Sequence, residues 1–261
     1  MLPLRDENPT RRVPVVTVLL ILANIAVYFL VQPDTADVVG STRFNLEQAA
    51  IPCEVVENRP LSIGELRDTL ELGDGTACQG DDPVGPAGFP GKQVLLAVLT
   101  SMFLHGSLLH LGGNMLFLWI FGNNVEDSLG RVRYIVFYVL GGLAATAAQT
   151  FVTLGWGSAQ EAAIPNLGAS GAISAVLGAY FLLHPHGRVL TFVVPFFLFQ
   201  IPAMVFLGIY FLYQLVIGGY AFVHPDAGGG VAYFAHLGGI AFGLLTVRLF
   251  AAGRPRARVG F

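Results

Sequence analysis

Between Gln93 and Val125 the chain carries no Asp, Glu, Lys or Arg over 33 residues, and this run limits the possible folds more than any other feature. As one straight helix it would be about 50 Å long, against a bilayer hydrocarbon core of about 30 Å. The run must therefore break. His105-Gly106-Ser107 is the natural break, with Ser107 placed to cap a helix that starts at Leu108. Val94–Leu104 then lies near a membrane surface or re-enters, and the span proper covers about Leu108 to Gly122. The composition agrees. The chain is 54% hydrophobic and 12% charged, and a soluble domain usually carries about twice that charge. Its mean hydropathy is +0.65. This is a polytopic protein whose solvent is the lipid bilayer. A net charge of −3 gives no support to a nucleic-acid partner.

The same reasoning divides the remainder. Residues 1–12 form a polar, basic leader. Residues 13–31 form a first transmembrane helix behind Arg11-Arg12, too long for a signal peptide and without a small-residue cleavage site. Residues 32–92 are an acidic, Pro/Gly-rich loop with amphipathic character near Ile63–Leu72. Its two cysteines, Cys53 and Cys78, either pair or remain free thiols. Residues 93–250 hold a core of five further spans: Leu108–Gly122, Tyr134–Leu154, Gly168–Leu183, Ala203–Gly218 and Ala232–Phe250. Asn123–Arg133 reads as a polar turn. Leu190–Ile201 reads as a hydrophobic approach to the fifth span, and His184 and His186 as interfacial. Residues 251–261 are a basic tail. The expected fold is all-α, a six-helix membrane bundle with both termini cytoplasmic.

Basic residues orient such a bundle. The leader, the even-numbered turns and the tail hold ten, namely Arg5, Arg11, Arg12, Arg131, Arg133, Arg188, Arg248, Arg254, Arg256 and Arg258. The other side holds four, all in or at the end of the 32–92 loop: Arg43, Arg59, Arg67 and Lys92. The second, fourth and sixth spans then run inward from the outer face. Their outer ends carry His110, Ser170 and His236, so three chemically capable side chains fall at one depth.

His110 and Asn114 are four apart and share a helix face. Polar side chains within a membrane helix are costly and turn toward the bundle interior or a cavity. Ser170 stands between Gly168 and Gly171 at a helix start. Gly239 and Gly243 follow His236 on its own face, and the fourth span offers a matching small face at Ser170, Gly171, Ser174, Ala175 and Gly178. Small residues at this spacing let helices approach closely. If these two faces pack, His236 comes within hydrogen-bond range of Ser170, as a serine nucleophile requires of its base. No span contains a carboxylate; Asp226 precedes His236 by ten residues but lies in a loop. A Ser–His dyad is therefore favoured over a triad. The start of the Ser170 helix, His110 and Asn114 could supply donors to an oxyanion. A metal site built from His105, His110 and His236 fits less well. Five-residue spacing separates His105 and His110 on the helix, and no Cys or carboxylate completes the set. A proton relay would call for intramembrane carboxylates or lysines, which are absent from the spans.

The motifs His105-Gly-Ser-Leu-Leu-His110-Leu-Gly-Gly-Asn114, Gly168-Ala-Ser170-Gly171 and Ala235-His236-Leu-Gly-Gly239, in this order, resemble those of the rhomboid intramembrane serine proteases. Glu126-Asp127-Ser-Leu-Gly130-Arg131 and Gln200-Ile-Pro-Ala-Met-Val-Phe-Leu-Gly208 are also similar to that family. The resemblance implies a six-helix core around a water-filled cavity. It implies Ser170 as nucleophile, His236 as general base, and an oxyanion hole of His110, Asn114 and the Ser170 N–H. Gly168, Gly171, Gly239 and Gly243 would pack the helices around the site. It implies no metal or organic cofactor, and as substrates the transmembrane segments of other proteins. The alternative within the family is an inactive relative that binds membrane proteins without cutting them. Many members carry an aromatic residue four positions after the nucleophile, where this chain has Ser174. The expected setting is a prokaryotic plasma membrane, with the site opening to the extracytoplasmic side.

Overall fold

The computed structural model describes residues 1–71, 85–157, 159–193, 195, 197–223 and 232–253. The chain opens with a strand, β1 (Leu2–Asp6), where the sequence suggested only a polar leader. The first helix is α1 (Val15–Leu30). Its N-terminal amides are capped from far along the chain. Glu126 accepts from the N–H groups of Val16 at 3.0 Å and Thr17 at 2.8 Å, and from Thr17 Oγ1 at 2.8 Å. A carboxylate on a helix N-terminus satisfies orphan donors and complements the helix dipole.

A small unit follows, made of α2 (Val38–Gln48), α3 (Pro52–Glu57) and α4 (Ile63–Glu71). The start of α4 is a reciprocal capping box. Ser62 N–H donates to Glu65 at 2.6 Å, and Glu65 N–H donates to Ser62 Oγ at 3.2 Å. The unit is closed by a buried ion pair between Lys92 and Glu54 at 2.5 Å, with Lys92 also donating to the Leu46 carbonyl. Burial pushes the Glu54 carboxyl up and the Lys92 amine down, against their mutual attraction. Cys53 is disulfide-bonded. The other cysteine of the sequence, Cys78, lies outside the described residues.

The uncharged run breaks at the expected place. The helix α5 (Val94–Thr100) ends in a 3-10 turn, Ser101–Phe103. A second rod begins at Leu108, with His110 N–H donating to Ser107 Oγ at 3.1 Å, and the two are bent by 79°. This rod continues further than expected: α6 (Leu108–Phe117), a π-turn at Leu118–Gly122 and α7 (Asn123–Leu129). Asn123–Leu129 is thus helix, not a turn. Its polar side chains are buried because the N-terminal segment covers them. Asp127 pairs with Arg11 at 3.1 Å, and Asn124 donates to Asp6 at 2.6 Å. Next come α8 (Arg131–Trp156) and the short α9 (Ala159–Ala162).

The centre of the molecule is α10 (Ser170–Leu183), in which every residue from Gly171 to Tyr180 is buried. The chain then turns into two strands, β2 (Arg188–Val193) and β3 (Phe197–Pro202). The three strands form one antiparallel sheet in the order β1-β2-β3. The all-α expectation is corrected here: the protein is mostly helical but carries a sheet where Leu190–Ile201 was read as an approach segment. That stretch is apolar apart from Thr191 and Gln200, and such a run does not declare its period. His184 is likewise buried and hydrogen-bonded to Ser128 at 3.1 Å. The last helices are α11 (Ala203–Val223) and α12 (Tyr233–Ala251). The tail from 254 onward and the loop holding Asp226 lie outside the described residues.

Three helices, α8, α11 and α12, are each long and apolar enough to cross a bilayer, and the bent α5/α6–α7 pair makes a fourth candidate. Both α1 and α10 are apolar but shorter. The helices α8 and α12 flank α10 through small residues. A Cβ on Gly239 would stand 2.2 Å from the Gly171 carbonyl oxygen, and one on Gly243 would stand 2.2 Å from that of Ala175. Only glycine permits this backbone approach. One on Gly171 would stand 2.5 Å from Ala145 Cβ of α8.

Candidate active site

Ser170 is the first residue of α10, and the loop before it is held on two sides. Asn166 N–H donates to the Ala50 carbonyl at 2.7 Å, and Gly168 N–H donates to Ser101 at 2.9 Å. Ser170 therefore lies at the same end of the bundle as the α2–α4 unit. Gly168 has φ +129°, a conformation that favours glycine. A Cβ there would stand 2.9 Å from His110 Cε1 and 3.5 Å from Ser170 Oγ, so Gly168 also keeps open the gap between those side chains. Ala169 at the N-cap offers α10 no side-chain hydrogen bond, which leaves its first backbone N–H groups available to an occupant of the cavity.

His236, in the first turn of α12, is brought to Ser170 by the Gly239 and Gly243 contacts. Its Nε2 lies 2.8 Å from Ser170 Oγ. Its Nδ1 lies 3.0 Å from Oε1 of Gln214, on α11. Gln214 is buried, and the Tyr210 hydroxyl is hydrogen-bonded to both Gln214 and Ser174.

His110 and Asn114 project from α6 into the same cavity, a space of about 530 Å³. Asn114 Nδ2 donates to His105 Nε2 at 2.9 Å, so one amide hydrogen is held and one remains for the cavity. His105 is fully buried; it bonds Asn114 and packs edge-on against His110, with ring centroids 5.1 Å apart. Gln32 secures its backbone, accepting from His105 N–H at 2.9 Å and donating to its carbonyl at 3.0 Å. Leu109, Phe117, Ile173, Leu177 and Tyr210 give the cavity its apolar wall, and no carboxylate stands among its described lining residues.

The four residues singled out in the sequence, Ser170, His236, His110 and Asn114, meet at one cavity. Asp226, weighed as a possible third member, lies outside the described residues. Sequence reasoning missed Gln214, Tyr210 and the clamp that His105 places on Asn114. The available signal was Gln214 itself, a lone amide in an otherwise apolar span, which is costly unless bonded.

Residues 92–253 match the family model of the Rhomboid domain. Over 152 residues the chain is 32% identical to Rhomboid protein 1, mitochondrial, of Saccharomyces cerevisiae, covering 58% of this chain and 40% of that protein. It is 34% identical over 163 residues to the presenilin-associated rhomboid-like protein, mitochondrial, of Bos taurus, covering 59% and 38%. It is 28% identical over 173 residues to RHOMBOID-like protein 12, mitochondrial, of Arabidopsis thaliana, covering 62% and 48%. The chain thus spans less than half the length of these curated relatives. All three are mitochondrial by name, which overturns the expectation of a prokaryotic plasma membrane. Charge asymmetry orients a chain across a membrane; it carries no information about which membrane.

Proposed function

Because this chain belongs to the rhomboid family, we propose that it is an intramembrane serine endopeptidase acting on transmembrane segments of other proteins. The observation that carries the reading is the 2.8 Å contact between Ser170 Oγ and His236 Nε2 at the mouth of an uncapped helix. In the proposed reaction Ser170 Oγ attacks the scissile carbonyl while His236 Nε2 takes its proton. The oxyanion is received by the Ser170 N–H, the free Asn114 amide hydrogen and His110. The tetrahedral intermediate then collapses. The C–N bond breaks, and His236 returns the proton to the leaving amine. Water, deprotonated by His236, releases the acyl group from Ser170.

The proposed architecture has six spans: α1, α6–α7, α8, α10, α11 and α12. With 14 residues, α10 is about 21 Å long, short of a hydrocarbon core of about 30 Å. Its Ser170 end would then lie below the membrane surface, with the cavity bringing water to it. The disulfide at Cys53 supports an oxidising compartment on that side, with both basic termini opposite. The mitochondrial relatives point to a mitochondrial membrane as the setting.

The test is co-reconstitution into liposomes with a single-span membrane protein bearing Gly and Ala near the upper end of its helix. Cleavage by the wild type that Ser170→Ala abolishes is the expected result. An uncut protein that nevertheless crosslinks to the wild type would favour the non-catalytic relative.

A further inference from the structure

We propose that Gln214 is a positioning residue that sets the tautomer of His236 and steadies the imidazolium formed during the reaction. The proposal rests on the Ser–His reading of the site. Neutral imidazole has one N–H and one acceptor nitrogen. His236 Nδ1 faces Gln214 Oε1 at 3.0 Å. An amide oxygen only accepts, so Nδ1 carries the hydrogen, and Nε2 presents its lone pair to Ser170 Oγ at 2.8 Å. The opposite amide orientation would donate to Nδ1, place the hydrogen on Nε2 and remove the base.

Gln214 is itself held. With Oε1 on the histidine, its NH₂ remains to donate to the Tyr210 hydroxyl, which is hydrogen-bonded to Ser174 as well. A polar chain thus runs from Ser174 through Tyr210 and Gln214 to His236. The buried Gln214 head group sits on a helix whose neighbouring positions Leu212, Tyr213, Leu215 and Val216 are all exposed on the bundle surface. Among the described residues, its Oε1 meets the histidine. In serine hydrolases a carboxylate commonly takes this place. A neutral amide orients the ring and accepts a charge-assisted bond from the imidazolium without adding a negative charge.

The test follows fluorophosphonate labelling rates of the purified full chain across probe concentration and pH. Gln214→Met is close in volume and cannot accept the bond. It should lower the maximal labelling rate about 10- to 100-fold, the factor for losing one hydrogen bond to a charged group. Half-saturating probe concentration should stay unchanged, and Tm should fall by no more than the loss of buried hydrogen bonds entails. Gln214→Glu should keep activity but move the acidic limb of the rate profile to higher pH, because a carboxylate beside His236 favours the protonated ring. A Gln214→Met protein labelled at the wild-type rate, or a Gln214→Glu profile that coincides with the wild type, overturns the proposal. Should Gln214→Met not fold, the near-isosteric Gln214→Glu profile decides alone. A wild type that takes no label overturns the Ser–His reading itself, a distinguishable result.

Discussion

At the scale of single residues, Asn114 shows how a costly polar group is put to use. An amide in a membrane helix must be bonded or face water, and here His105 takes one hydrogen and leaves the other directed to the cavity. Asn114→Ala should reduce the maximal rate by about 10- to 1,000-fold with binding unchanged, as for loss of one oxyanion donor; steady-state kinetics at saturating substrate will read this. Asp6 is a second instance. Burial pushes its carboxyl up to about 6 despite the Tyr180 hydrogen bond that favours its ionised form. Its folded value lies above the ordinary 3.8. Its contribution to stability is therefore fully present below about pH 4 and is lost as pH rises through about 6. The Tm of the detergent-solubilised protein should fall across that window, and Asp6→Asn should flatten this part of the profile. Equal slopes for the two proteins would contradict the assignment.

At the scale of elements, the meeting of α10 and α12 was legible because it depends on residue size. Gly239 and Gly243 on one helix and Gly171, Ser174 and Ala175 on the other declare a close crossing in the chain itself. Gly239→Val should therefore lower the Tm and abolish activity together, since its side chain would enter the space of the Gly171 carbonyl. A variant with wild-type Tm would contradict the crossing. The sheet was not legible. Strand β1 pairs Leu2 with Phe192 and Asp6 with Val189, partners that no local pattern joins. The extension of α6 through Leu129 was hidden for the same reason. Asn124, Glu126 and Asp127 read as a turn until Asp6, Thr17 and Arg11 are seen to satisfy them. Gln214 was visible as an anomaly, but its partner lies 22 residues on, in another helix.

At the scale of the whole molecule, two assemblies brace one reaction centre. The α2–α4 unit reaches the loop before Ser170 through the Ala50–Asn166 bond, and its own integrity rests on the disulfide and the buried Lys92–Glu54 pair. Lys92→Met should cost about 3–5 kcal/mol by leaving Glu54 buried and unpaired. Adding Glu54→Leu should recover part of that loss; thermal unfolding of the single and double variants measures both. The bundle supplies the second brace, holding His236 on Ser170 through glycine contacts and Gln214. The most direct measurement of this account is covalent labelling with a fluorophosphonate, followed by mass mapping of the modified peptide, for the wild type, Ser170→Ala and His236→Ala. The account predicts a single adduct on Ser170 in the wild type and none in either variant. A folded wild type that takes no label, or one labelled equally with His236 replaced, would contradict it.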